Sequence, residues 1–167
     1  GVLEVGDGDV FVSGAAALIT AAEKLPAPKT LLDTGDPSFA NPPSMKAAID
    51  AHLKKRRAPA PKNLPSYVRL ICDSLGQGHA EAKSAFERMT GRTFKRILMV
   101  GGGSKNRLLC QATANAAKVP VISFSLEGTA VGNLASQLIS LGAVVDLNPL
   151  RRPLAAALKQ TTYTPAK

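Results

Sequence analysis

The segment 96–106, Arg-Ile-Leu-Met-Val-Gly-Gly-Gly-Ser-Lys-Asn, joins a short apolar run to three consecutive glycines. Ile97–Val100 are apolar and partly β-branched, which predicts a strand buried on both faces, as in a parallel sheet covered by helices. Gly101–Gly103 then predict a turn without Cβ atoms, where a ligand can lie against bare backbone at the start of a helix. Ser104 is the candidate N-cap of that helix.

Two interpretations of this turn are open from the residues alone. The glycines can simply make a tight connection between strand and helix, or they can seat a nucleotide, whose negative charge suits the amides of a helix N-terminus. The dinucleotide fingerprint G-x-G-x-x-G is not met, because its last position is Asn106. The acidic residue expected about 20 positions on is also missing at 121–125, so a dinucleotide-binding oxidoreductase is a disfavoured alternative.

The length of 167 residues fits one domain with a substantial core. With 45% hydrophobic and 20% charged residues, the composition is typical of a soluble globular protein, and no apolar run approaches the roughly 20 residues that span a bilayer. These features predict a cytoplasmic protein that does not bind membranes. Cys72 and Cys110 have no metal-ligand spacing and are interpreted as reduced, buried thiols.

The formal net charge of +9 raises the question of nucleic-acid binding, with Lys54-Lys55-Arg56-Arg57 as the densest basic run. That run closes a predicted helix, where cations complement the helix dipole. The chain also has only two tyrosines and no tryptophan for stacking on bases. We therefore expect no nucleic-acid partner, and the charge is better explained by attraction of an anionic nucleotide or by an acidic partner domain.

The pattern of apolar residues predicts an α/β fold, with a mixed or parallel sheet and flanking helices. Its longest signal is an amphipathic helix from Ser66 to about Met89, which contains Gly76 and Gly78 and carries His79 on its apolar side as a packed core histidine. Glycines inside such a helix often permit another element to approach closely. The other predicted helices cover 15–24, 44–57, 105–117, 127–141 with Gly142 as its stop, and 150–159. The other predicted strands are Val10–Val12 and 119–124, with a turn-rich loop at 33–43, a proline-rich connector at 58–65 and a turn at 146–149.

Two motifs resemble the carboxyl-terminal half of the FGGY carbohydrate kinases. They are Val100-Gly-Gly-Gly-Ser-Lys-Asn106, followed by two leucines, and Glu127-Gly-Thr-Ala-Val-Gly-Asn133. Within that family, Asp36-Pro-Ser-Phe-Ala-Asn-Pro42 and Ile71-Cys-Asp-Ser-Leu75 are most similar to the rhamnulokinases, and the resemblance extends over roughly 15–164. It divides the chain into a truncated amino-terminal remnant at 1–14 and a carboxyl-terminal ATP-binding domain at 15–167.

The resemblance implies a partial actin-like, ribonuclease-H-like ATPase domain. Such kinases transfer the γ-phosphoryl group of Mg-ATP to a ketose such as L-rhamnulose, so ATP or ADP is the implied ligand and Mg²⁺ the implied metal. Carried over position by position, Gly101, Gly102 and Gly103 would line the adenosine and α-phosphate pocket, and Asn106 would lie near the adenine and ribose.

The chain departs from the family in the catalytic parts that it lacks. The resemblance would place a phosphate loop, a catalytic aspartate and a Gly-Thr phosphate turn in such a kinase, and no segment of this sequence matches them. Asp7, Asp9, Asp33 and Asp36 lack the context of the base and are interpreted as turn residues, so no catalytic residue and no metal ligand is assigned here. We therefore expect weak nucleotide binding and no activity in isolation, with the ketose bound only beside the missing amino-terminal domain.

A second hypothesis is a non-catalytic α/β interaction module left by truncation. A partial actin-like domain that has lost strands exposes sheet edges and apolar surface. Association with a second copy, as a homo-oligomer, is the expected consequence.

Overall fold

The computed structural model of the chain describes residues 8–124, 128–149 and 159–166. Within these residues, helices and strands alternate in the second half of the chain, after three helices in the first half. The helices are α1 (Gly8–Glu23), α2 (Met45–Lys55), α3 (Leu64–Thr90), α4 (Arg107–Ala117) and α5 (Gly128–Ser140). The strands are β1 (Ile97–Met99), β2 (Val121–Phe124) and β3 (Gln160–Tyr163). The helix predicted at 150–159 lies outside the described residues except for Lys159.

The three described strands form one mixed sheet in the order β1-β2-β3. β1 and β2 are parallel, with Ile97 opposite Val121, whereas β3 is antiparallel to β2. This confirms an α/β fold with a mixed sheet and flanking helices. β3 was not predicted; it pairs with β2, and the residue after it contacts α4, since Gln111 Nε2 donates to the Thr164 carbonyl at 2.7 Å.

One face of the sheet packs on the helices. Met99 and Val121 join residues of α3 and α4, among them Cys72, in the main core cluster. Leu98, which precedes Met99 on β1, points to the opposite face of the sheet and is 56% exposed. The prediction of a strand buried on both faces is therefore wrong, because the described helices cover only one of them.

Side-chain caps set the starts of α2 and α3. Ser44 Oγ accepts from the Ala47 amide, which confirms the predicted start of α2. The predicted connector to Pro65 is two residues too long, because Asn63 is the N-cap of α3 and its side chain accepts from the Ser66 amide at 3.0 Å. Pro65 lies in the first helical turn, where a missing amide hydrogen costs nothing.

The strand predicted at Val10–Val12 is wrong. These residues belong to α1, which begins at Gly8 and runs through the alanine-rich segment that was predicted as a helix from Ala15. No proline separates the two stretches, and a short apolar run next to good helix formers extends the helix. Asp9, interpreted above as a turn residue, therefore lies in a helix, whereas Asp7 is outside the described residues.

α3 and α4 make the tightest contact of the fold. Gly76 lies against the α4 backbone, and a Cβ atom built there would be 2.7 Å from the Ala112 carbonyl carbon. The expectation that a glycine in this helix permits close approach is confirmed at Gly76. His79 is not a packed core histidine, since the residue is exposed. Its Nδ1 lies 2.9 Å from the hydroxyl of the buried Thr113, and partial desolvation lowers the pKa of His79.

Both cysteines are buried free thiols, as predicted. Burial raises the pKa of Cys110 to about 11, so its thiolate is scarce at neutral pH and the residue serves packing.

The helix α5 is followed by a glycine with a left-handed backbone. Gly142 has φ of 71°, which confirms it as the helix stop. Among the described helices, none has both the length and the apolar content needed to cross a membrane.

Candidate functional site

The glycine turn lies at the carboxyl edge of the parallel strand pair. Because β1 and β2 are parallel, the turn that follows β1 lies at the same edge of the sheet as the carboxyl end of β2. Ser104 joins the turn to β2, since its hydroxyl lies 2.7 Å from the Gly101 carbonyl oxygen and 2.8 Å from that of Phe124. The hydroxyl has one hydrogen and donates it to one carbonyl at a time. Its role is to fix the turn against the end of β2.

The predicted helix after the turn starts differently from the expectation. Gly102–Lys105 form a short 3-10 helix, and α4 begins only at Arg107. The N-cap of α4 is Asn106, whose Oδ1 accepts from the Leu109 amide at 3.1 Å. The prediction that Ser104 is the N-cap is therefore wrong, because Ser104 is buried and turned toward the end of β2 instead.

The three glycines differ in what they contribute. Gly101 has φ of 72° and ψ of −159°, a conformation that is essentially restricted to glycine, and a side chain there would cost about 1–3 kcal/mol. Gly102 is exposed, and a Cβ atom added to it would meet no atom of the described residues within 4 Å. Gly103 faces inward, since a Cβ atom added to it would lie 3.7 Å from Leu109 Cδ2. Gly101 thus shapes the turn, and Gly102 leaves its outer side bare.

Both polar atoms of the Asn106 side chain already have partners within the protein. Besides capping α4, its Nδ2 lies 3.5 Å from Cys72 Sγ on α3. This structural role was missed, although an asparagine three residues before a helical amide is a recognisable capping signal. Contact of Asn106 with adenine and ribose stays a prediction, as does contact of Gly101–Gly103 with adenosine and the α-phosphate.

An ion pair between α4 and α1 lies near this edge. Arg107, the first residue of α4, places Nε 2.6 Å from Glu23 Oε1 and donates to Thr20 Oγ at 2.9 Å. The Arg107 side chain is 53% exposed, so the ion pair orients α1 against α4 more than it stabilises the fold. Sequence reasoning gave no signal for this pair, because its partners are 84 positions apart.

The acidic residues considered as possible bases make local contacts elsewhere. Asp33 Oδ1 accepts from the Gly35 amide at 3.0 Å, and Asp36 Oδ1 accepts from the Ser38 amide at 2.9 Å, so both are turn residues, as interpreted. The Ser38 amide lowers the pKa of Asp36, and the carboxylate also lies 3.2 Å from Nδ1 of the buried His52. Within the described residues, no three His, Cys, Asp or Glu side chains are grouped as metal ligands.

The fold places the chain in a known structural class. It superimposes on the crystal structure of xylulose kinase from Rhodospirillum rubrum with a TM-score of 0.59 and 17% sequence identity, covering 98% of this chain and 31% of that one. The chain therefore has an actin-like α/β fold, with the glycine turn at the carboxyl edge of two parallel strands and with helices packed on the sheet.

The C-terminal domain model of the FGGY family of carbohydrate kinases matches residues 7–141, and the chain belongs to that family. It is 35% identical over 149 residues to a rhamnulokinase of Pectobacterium carotovorum subsp. carotovorum, which covers 89% of this chain and 30% of that protein. A rhamnulokinase of Bacteroides thetaiotaomicron is 32% identical over 148 residues, with the same shares covered. The chain therefore spans about 30% of the length of these relatives.

Proposed function

We propose that the chain is the ATP-binding portion of a rhamnulokinase-like carbohydrate kinase. The observation that carries this is the open outer side of the turn at Gly102, next to the first turn of α4. Identity of 31–35% to several rhamnulokinases supports L-rhamnulose, or a related ketose, as the acceptor sugar of the complete kinase. The chain covers about 30% of those proteins, and the proposal places the sugar site and the catalytic base in the other part of such a kinase.

The proposal uses the bare backbone of the turn as the contact for the nucleotide. Mg-ATP would supply the γ-phosphoryl group that such a kinase transfers to a sugar hydroxyl. Gly101 and Gly102 let the adenosine and the α-phosphate approach the backbone without a Cβ clash, while Ser104 fixes the position of the turn. Asn106 would contribute near the adenine and ribose. Mg²⁺ would be held mainly through the phosphates of the nucleotide, as is usual for this ion.

ATP binding is expected to depend on Gly102. The Gly102→Asp substitution places a side chain and a negative charge on the bare side of the turn, where it would exclude and repel phosphates. Folding should be unaffected, since a Cβ atom at Gly102 meets no described atom. Calorimetric titration with ATP should give binding heat for the original chain and none for Gly102→Asp at equal thermal stability.

Two further variants control this experiment. Gly102→Ala adds a methyl group without charge and should weaken binding less than Gly102→Asp. Gly14→Asp introduces the same residue at an exposed glycine of α1 with equally empty surroundings and should keep the binding heat. Undiminished binding by Gly102→Asp would refute the assignment of the turn. No binding by the original chain at millimolar ATP would favour the interaction module.

We also expect the isolated chain to associate with a second copy. β1 has no described neighbour on its outer side. Leu98 in this strand and Val100 just after it are each more than half exposed. A strand edge of this kind pairs readily with another chain. Multi-angle light scattering should give a mass above that of one chain, and the mass should fall in Leu98→Lys, since an edge lysine opposes pairing. A stable monomer at high concentration would contradict this expectation.

A further inference from the structure

A cavity lies apart from the glycine turn. It has a volume of about 530 Å³ and is lined by the segment after α1, the carboxyl end of α2, the connector 58–62 and the first turns of α3. Pockets of about 300–1,000 Å³ are typical of small-molecule sites. None of the residues of the glycine turn lines it. Its size is therefore suitable for a ligand, and its position separates it from the proposed nucleotide contacts.

The walls of the cavity are rigid and apolar. Pro26 and Pro28 line it from the segment after α1, and Pro59 and Pro61 line it from the connector. Each proline ring fixes a backbone φ angle, so the cavity is shaped before any ligand enters and little conformational entropy is lost on binding. Leu53, which is only 2% exposed, lines the inner part of the cavity.

The charge of the lining has one sign. Lys29, Arg57, Lys62 and Arg69 line the cavity, and none of its lining residues is acidic. The charge of Arg69 is already balanced by an ion pair, because its Nε lies 2.7 Å from Asp73 Oδ2. Its guanidinium also donates to the Leu25 carbonyl. The other three cations make no ion pair with a described residue. They create a positive potential at the entrance of an apolar cavity.

Arg57 has a backbone conformation that normally favours glycine. Its φ is 55°, and it ends α2 with the Ala58 amide donating to the Leu53 carbonyl at 2.9 Å, the pattern of a helix stop in which glycine predominates. Lys118 ends α4 with a similar φ of 56°, so this conformation alone does not indicate a site. Arg57 differs from Lys118 because it lines the cavity.

We propose that this cavity binds a small organic phosphate, with the apolar part between the proline walls and the phosphate group against Lys29, Arg57 and Lys62. A phosphate group suits a cavity that three cations line, and an apolar body suits its proline walls. The proposal does not depend on nucleotide binding at the glycine turn, because the two sites share no residue.

The test is an NMR titration of the ¹⁵N-labelled chain with phenyl phosphate, which combines a ring and a phosphate. Backbone amides of the segments 25–30 and 57–62 should shift on titration. Phenol, which lacks the phosphate, and inorganic phosphate, which lacks the ring, should each bind at least tenfold more weakly. In Arg57→Gly the affinity should fall about tenfold, while the melting temperature is kept or raised, since glycine suits the positive φ.

Matched variants separate this proposal from its alternatives. Lys118→Gly makes the same change at the end of α4 and should keep phenyl phosphate binding, as should Gly102→Asp. If Arg57→Gly does not fold, Lys62→Gln removes another of the three charges from the exposed connector and should weaken binding by a similar factor. Equal binding of phenol and phenyl phosphate, or unchanged affinity in the charge-removing variants, would overturn the proposal. Displacement of phenyl phosphate by ATP from these same amides would also overturn it as a separate site.

Discussion

Replacing Gly76 with alanine is expected to destabilise the chain by about 1–3 kcal/mol, although alanine is intrinsically the better helix former by about 1 kcal/mol. The added Cβ would lie 2.7 Å from the Ala112 carbonyl carbon and 2.8 Å from the Thr113 nitrogen. Both are backbone atoms of α4, so they cannot rotate away as a side chain could. The helices α3 and α4 would have to separate, and the loss of packing should exceed the gain in helix propensity.

Urea unfolding followed by circular dichroism measures this effect. The matched control is Gly132→Ala in α5, where an added Cβ meets no described atom within 4 Å. That variant should be neutral or more stable by up to about 1 kcal/mol. A similar response of the two variants would show that the contact between α3 and α4 does not limit the size of residue 76.

Long amphipathic segments were predicted well because many residues contribute to the same periodic signal. α3 was expected at 66–89 and runs over Leu64–Thr90, and the start of α2 followed from its cap at Ser44. In these cases the local preferences and the tertiary contacts agree. The close approach at Gly76 was also indicated, because an interior glycine that weakens a helix needs a compensating contact.

The local errors arose where two residues compete for one role. Ser104 and Asn106 are both good N-cap residues, and the sequence offers no means of choosing between them. The choice is made in three dimensions, because the Phe124 carbonyl, 20 positions away, lies within reach of the Ser104 hydroxyl. The exposure of Leu98 was missed for a related reason, since burial of a strand depends on what covers each face.

The candidate sites differ in how visible they are in the sequence. The glycine turn is a contiguous motif, and its placement at the carboxyl edge of a parallel strand pair follows from the order of strand and helix. The cavity beside Arg57 combines residues 25–30 with residues of 53–70, which are at least 23 positions away, and its basic run was interpreted only as a helix end. Contiguous motifs are recognisable from a sequence, whereas cavities that depend on packing require the structure.

The packing around α3 also determines how the chain should unfold. Tyr67 and Leu70 near its start join a second core cluster with Leu32, Ile49 and Leu53, while Cys72 belongs to the main cluster with the sheet. Because one helix serves both clusters, damage to either should be transmitted to the other. We therefore expect a single cooperative transition for the described fold.

The Leu53→Ala substitution is expected to cost about 2–5 kcal/mol, with a value in the upper half of that range. Leu53 is only 2% exposed and lies beside the cavity with the proline walls, which cannot collapse readily into the space left by the lost atoms. Urea unfolding should show an earlier midpoint, with signals from the sheet and from α2 still coincident. Leu134→Ala on α5, at a leucine that is 56% exposed, should change stability by less than about 0.5 kcal/mol. Separate transitions would instead mean that α2 and its cluster unfold independently of the sheet.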